Sequence, residues 1–179
     1  MNFFWLSLNP GRNARYLCNA HVRKMCLEAV QLLYTVWFLQ QPDESWRSRV
    51  PLALNGQRGY KPTHKTNPLV KWIRQSSANY HYVANSALKI TKEYTKRYRR
   101  THAVQVHAEW LKNNLPPNLD DRGITPIPLI VGVKPIPYAS SKREAVTAYR
   151  KFYRTKTFLE YPDDACPPWL SRKYLASKS

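Results

Sequence analysis

Two Asn-Pro pairs, Asn9-Pro10 and Asn67-Pro68, each open a stretch in which apolar residues recur at helical spacing, and this pattern constrains the fold most. Asparagine accepts a hydrogen bond from the first helical amides, and proline at the first helical position lacks only an N–H that has no partner there. After the first pair, Ala14, Leu17, Cys18, Met25, Leu32 and Val36 form a stripe that Gln41-Pro42-Asp43 terminates. The spacing predicts one long helix over 10–39. After the second pair, Leu69, Trp72, Ile73, Tyr80, Val83, Ala87, Leu88, Thr91, Tyr94 and Tyr98 continue a stripe. It predicts helix over 68–100, either kinked or as two helices in tandem with a weak point near Ser76 to Asn79.

Thr101 is expected to cap a helix over 102–113 that Pro116-Pro117 closes. Ser141 to Glu144 is a capping box opening a helix over 141–156. Between them six prolines fall from Leu115 to Tyr138 among Ile, Leu and Val, a composition suited to extended packing. No apolar–polar alternation of useful length occurs, so the expected class is all-α. The expected architecture is a single compact helical domain over 1–179, with an extended Pro-rich segment at 115–138 and a short C-terminal tail.

Charge indicates the partner. The chain of 179 residues has 29 Lys+Arg against 11 Asp+Glu, a formal charge of +18. A magnitude of about 2 to 8 suffices to keep a small domain soluble, so the excess points to a polyanion, either nucleic acid or an anionic membrane surface. An apolar fraction of 43%, with 6 Trp, 12 Tyr and 5 Phe, excludes a disordered basic tail. Only 5 Gly are present and neither nucleotide-binding glycine string occurs, which argues against a mononucleotide fold. No segment approaches the ~18 to 20 apolar residues of a membrane span, so no membrane partner is expected, nor an obligate protein partner. Cys18, Cys26 and Cys166 lack C-x-x-C spacing, which fits a reducing, intracellular setting. The acid-free opening through Leu27 keeps organelle import as an alternative. His81, His102 and His107 lack close acidic partners and no H-E-x-x-H occurs, so neither a metal nor a cofactor is expected.

Glu28 is the only acid before Asp43, and none occurs from Ser45 to Lys92, where nine Lys or Arg fall. On a helix, His21 and Glu28 lie about 20° apart and share the stripe of Leu17, Met25 and Leu32. A carboxylate among apolar groups needs a cation or a function. Two readings stand: a structural pair, in which His21 or a remote Arg satisfies Glu28, and a general acid/base in a cleft. Lys24, one turn from both, is placed to form an ion pair or meet a phosphate. Thr63-His64-Lys65-Thr66-Asn67-Pro68 gathers hydroxyls, an imidazole and a lysine that suit phosphate oxygens; Lys71 and Arg74 follow. Lys92, Lys96, Arg99 and Arg100, interleaved with Tyr94 and Tyr98, form a candidate backbone-tracking face, although most aromatics of such a chain belong in its core. Duplex DNA is the expected partner of these groups.

The string from His21 to Leu33, with Met1-Asn2-Phe3 before it and Thr63 to Pro68 and Trp72 after it, resembles a family of small phage-encoded proteins over most of the chain. More distantly the chain is similar to the T-even-type pyrimidine-dimer DNA glycosylase/AP lyases. The shared features are a chain start directly before a long helix, His21 and Glu28 seven apart on it, and Pro168-Trp169 with Lys173 and Tyr174. The resemblance implies a glycosylase/AP lyase in which the Met1 α-amine attacks deoxyribose C1′ and Glu28 assists proton transfer, with His21 in support. An α-amine, with a pKa of about 8 against about 10.4 for lysine, has a nucleophilic fraction more than about a hundredfold larger than lysine's at neutral pH. The chain departs from that pattern in two places: Asn2 should leave Met1 attached, and Leu27 and Gln31 stand where arginines are expected around the glutamate. The competing functions are a non-catalytic architectural or organelle ribosomal-type nucleic-acid binder, and a DNA-base-modifying transferase on the same scaffold.

Overall fold

Both Asn-Pro pairs start helices: the Asn9 side chain accepts from the Arg12 amide at 2.9 Å and that of Asn67 from the Leu69 amide at 2.8 Å. A computed structural model of the chain describes residues 2–170. Among them the helices are α1 (Pro10–Tyr16), α2 (Asn19–Gln40), α3 (Pro68–Ile73), α4 (Ser77–Tyr98), α5 (Gln105–Asn113) and α6 (Lys142–Arg154), with a 3₁₀ turn at Ser45–Arg49. Extended pairing among the described residues amounts to two isolated bridges, Leu52 with Arg58 and Pro128 with Tyr138. The fold is all-α, with α4 packed against α1, α2, α3 and α5. No helix among the described residues is long and apolar enough to cross a membrane.

Three expected boundaries are corrected. The predicted 10–39 helix is broken at Leu17 and Cys18, whose backbones are extended. Distant groups satisfy the amides and carbonyls freed by the break. The Arg97 guanidinium donates to the carbonyls of Leu17 and Arg15, each at 2.9 Å. The Cys18 amide donates to the Tyr153 hydroxyl at 2.9 Å and the Asn19 amide to the Glu160 carbonyl at 2.8 Å. Second, of the two forms expected for 68–100 the tandem pair is found, with Arg74 ending α3 and Ser76 capping α4 by accepting from the Asn79 amide at 3.1 Å, and only its end at 100 is corrected. Arg99 takes a left-handed conformation at the C-cap of α4, so Arg99 and Arg100 lie past the helix. Third, α5 starts at Gln105 with Val104 as its N-cap residue and no side chain bonded to its first amides, so Thr101 does not cap it; His102 accepts from Val104 N–H just ahead of the helix at 3.2 Å.

The capping box of α6 forms shifted by one residue. Ser141 Oγ accepts from the Glu144 amide at 3.1 Å, while the Glu144 carboxylate turns back to the Ser140 amide at 2.7 Å. The Ser140 hydroxyl also donates to that carboxylate, and this bond, with those from the Ser140 and Ser141 amides, holds its pKa below the usual range.

Aromatic residues fill the core: Trp5, Trp46, Trp72, Tyr34, Tyr80, Tyr149 and Tyr153 are fully buried. Trp46, Trp72 and the four tyrosines pair their polar ends, as burial favours. Trp37 Nε1 donates to the Tyr80 hydroxyl at 2.9 Å, which itself donates to the Leu111 carbonyl at 3.1 Å. The entry segment Phe3–Leu6 is buried as well, and Asn13 accepts from the amides of Leu6 and Ser7 at 2.7 and 3.0 Å. This fixes the start of the described chain against the helices. The proline-rich segment folds back on itself as a narrow ribbon over 127–139, held by Ala139 N–H to the Ile127 carbonyl and Leu129 N–H to the Pro137 carbonyl.

Candidate functional site

One side of α2 presents His21, Lys24 and Glu28, and the entry segment lays Asn2 and Phe4 beside them. With Met25 these residues line a cleft of about 210 Å³. The helical spacing brings His21 and Glu28 together as expected; Asn2 and Phe4 arrive because the buried entry segment crosses that side of the helix.

His21 is held on several sides. Its ring lies 4.6 Å from that of Phe4 and 5.3 Å from that of Phe158, with Nδ1 2.6 Å from the Tyr153 hydroxyl oxygen. Burial, reinforced by the charges of Lys156 and Lys24, lowers its pKa to about 4, so the ring is neutral at neutral pH. Tyr153 oxygen already accepts from the Cys18 amide. If its own hydrogen goes to Nδ1, the ring proton sits on Nε2. A neutral donor beside a carboxylate can orient a substrate oxygen without adding charge.

The Glu28 side chain is 16% exposed and its carboxylate lies 3.3 Å from Lys24 Nζ, whose side chain is 66% exposed. Neither His21 nor a remote arginine is its ion-pair partner; the Lys24 pair that the spacing allowed is the one that forms. Lys24 is accessible enough to exchange this partner for a phosphate.

The remaining basic candidates lie outside the cleft lining. His64, at a left-handed φ of 52°, is exposed, with its Nδ1 2.6 Å from the Thr63 hydroxyl. The Thr63 amide donates to Thr35 Oγ1 at 3.0 Å. Thr35 is on the same side of α2 as Glu28, about 10 Å farther along, so the His64–Lys65 loop adjoins that side without entering the cleft. Lys71 is exposed on α3, and Arg74 Nε donates to Gln40 at the far end of α2 at 2.8 Å. Lys92 and Lys96 are exposed on α4, where Lys96 pairs with Asp164 at 3.2 Å. Arg100 donates to the Tyr94 hydroxyl at 2.8 Å, and Tyr94 is core, only 6% exposed, which removes it as a stacking platform. Arg23 lies over the Tyr98 ring at 6.0 Å, joining the end of α4 to the start of α2. The cations thus distribute toward both ends of a helix about 30 Å long.

Met1, Lys173 and Tyr174 lie outside the described residues. Tyr153 and Arg97 are the important residues that sequence did not single out for these roles: Tyr153 fixes His21, and Arg97 closes the α1–α2 break. Only their helical positions were signalled, since their partners lie far away in the chain. Burial pushes the Cys26 thiol up to about 12, consistent with inert packing. Among the described residues no three His, Cys, Asp or Glu side chains gather as a metal ion would need. Comparison with models of protein families, with curated proteins and with solved structures finds no match to this chain.

Proposed function

We propose that the protein is a DNA-directed enzyme that acts on a base or its deoxyribose at the Asn2–His21–Glu28 cleft, as a glycosylase/AP lyase. The observation that supports this best is a half-buried carboxylate whose one ion-pair partner is an exposed lysine, set beside a neutral histidine in an open cleft. In a chain of +18 the expected ligand is an anion, and an arriving phosphate competes with Glu28 for Lys24. That exchange frees the carboxylate at the moment the substrate binds.

In the proposed reaction an amine attacks C1′, and the base leaves with the electron pair of the glycosidic bond and takes up a proton. The sugar ring opens to a Schiff base as O4′ is protonated. Glu28 then removes a proton from C2′, the C3′–O bond breaks to expel the 3′ phosphate, and water adds to C1′ to break the C–N bond and release the amine. His21 Nε2–H donates to a sugar or phosphate oxygen. The family resemblance assigns the amine to Met1; Asn2, the next residue, lines the cleft.

The test is incubation with a duplex carrying one abasic site, with and without borohydride. The proposal expects strand cleavage and, with borohydride, a covalent protein–DNA adduct whose labelled peptide contains the attacking amine. DNA binding with neither product would leave the protein as a binding module. Base modification without strand cleavage would indicate the transferase alternative.

A further inference from the structure

We propose that the outer face of α6, with Arg12 of α1 beside it, binds the phosphate backbone of a second DNA segment, separate from the one at the cleft; this rests on the reading of the partner as DNA and not on the reaction. Ala145, Tyr149 and Tyr153 turn one side of α6 into the core. At 100° per residue, Arg143, Thr147, Arg150 and Arg154 fall within about 60° of one another on the side turned away, in a stripe about 16 Å long. Alongside a duplex that length spans about five phosphates of one strand. Glu144 is the only acid of the helix, and its carboxylate is turned back to Ser140.

Aromatic rings and carbonyls hold two of these cations in place. Arg150 Nε donates to the Leu6 carbonyl at 2.9 Å, and its guanidinium lies 5.9 Å from the centre of the Tyr16 ring and 5.3 Å from that of Trp169. Arg154 lies 5.4 Å over the same indole and donates to the Trp169 carbonyl at 2.8 Å. Such partners orient a guanidinium without neutralising it, so its charge remains for a ligand. Among the described residues no ion pair engages Arg12, Arg143 or Arg150. Burial, joined by the charges of Arg154 and Arg12, lowers the Arg150 pKa; the cations repel one another, and an arriving phosphate relieves that repulsion. Phe152, about 160° around α6 from Arg154, stacks on Phe4 of the cleft. The stripe and the cleft therefore open on opposite sides of α6, and DNA held at Lys24 does not cover the stripe.

The experiment titrates the full chain with excess short duplex at low salt and reads the number of duplexes per protein by sedimentation and native mass. The expected wild-type complex holds two duplexes on one protein copy. Arg12→Gln with Arg143→Gln, both at exposed positions, should weaken the second duplex by about tenfold or more and leave the first within about threefold. Arg143→Gln alone serves if the double variant fails to fold and should weaken the second duplex several-fold. Lys61→Gln with Lys112→Gln removes the same charge from exposed positions off the stripe and should leave both duplexes bound. A wild-type complex with one duplex, two protein copies sharing two duplexes, or an equal loss in the lysine control overturns the second face and leaves the DNA reading intact. A folded stripe variant that keeps its second duplex also overturns it, and if that variant loses binding to phosphatidylserine vesicles the face belongs to an anionic membrane. Absence of DNA binding by the wild type overturns both readings.

Discussion

Two ion pairs of identical i,i+4 spacing, Glu93–Arg97 on α4 and Lys24–Glu28 on α2, differ in how far their partners are saturated. Arg97 is 4% exposed and Glu93 11%, joined at 2.8 Å, and the other Arg97 nitrogens go to the carbonyls of Leu17 and Arg15 and to the Asn19 side chain. All three nitrogens of that guanidinium are bonded, so the pair closes the break between α1 and α2. Lys24–Glu28 spans 3.3 Å, has an exposed lysine, and opens into a cleft. It also carries its charges in the less favourable order along the helix, lysine first. Saturation of the partners separates a structural charge from one available to a ligand.

Removing the saturated pair should have the largest effect. Arg97→Ala leaves Glu93 and two carbonyls without their donor, and should cost about 3 to 5 kcal/mol in denaturant unfolding. Arg97→Lys should recover only part of that, because a point charge cannot serve three directions. A loss below about 1 kcal/mol would mean the break is held some other way.

The pH dependence of His21 tests the cleft side of the comparison. Its folded pKa of about 4 lies below the ordinary 6.5, so folding favours the neutral ring. The associated stability is fully present above pH 6.5 and is lost as pH falls toward 4. The slope approaches about 1.4 kcal/mol per pH unit for one proton. His21→Gln should flatten that limb in a series of unfolding curves; an unchanged slope would assign it to other groups.

Next in size, Tyr153→Phe should cost about 1 to 3 kcal/mol, because it leaves the Cys18 amide and His21 Nδ1 unpaired in the core. Thermal denaturation reads this directly, and a neutral result would contradict the proposed anchoring of His21. Lys24→Gln should be the mildest, within about 1 kcal/mol, since one partner is solvated. A much larger loss would make Lys24–Glu28 a structural pair like its counterpart on α4.

The helix starts at Pro10, Pro68 and Lys142 were legible because their signals are local: Asn9, Asn67 and Ser141 each bond an amide two or three residues on. The near approach of His21 and Glu28 was legible for the same reason, as a consequence of helical pitch. The break at Leu17 and Cys18 was not, since the groups that stabilise it, Arg97, Tyr153 and Glu160, lie at least 80 residues away for the Arg97–Leu17 bond and farther for the others. A helical stripe gives no hint that its carbonyls find better donors elsewhere. The same holds for Asn2 and Phe4, which reach the cleft only because Asn13 and the aromatic core fix the entry segment. The basic residues were legible as an excess of charge, yet their division between the two ends of α2 depends on how α3 and α4 pack.

The central claim is that Glu28 serves a reaction and Glu93 serves the fold. The direct measurement is strand cleavage of an abasic-site duplex by Glu28→Gln, with melting temperature and DNA affinity recorded on the same preparation. Cleavage should fall by at least about a hundredfold, with folding retained and affinity nearly unchanged. Full cleavage by Glu28→Gln, or a protein that unfolds without the carboxylate, would contradict it.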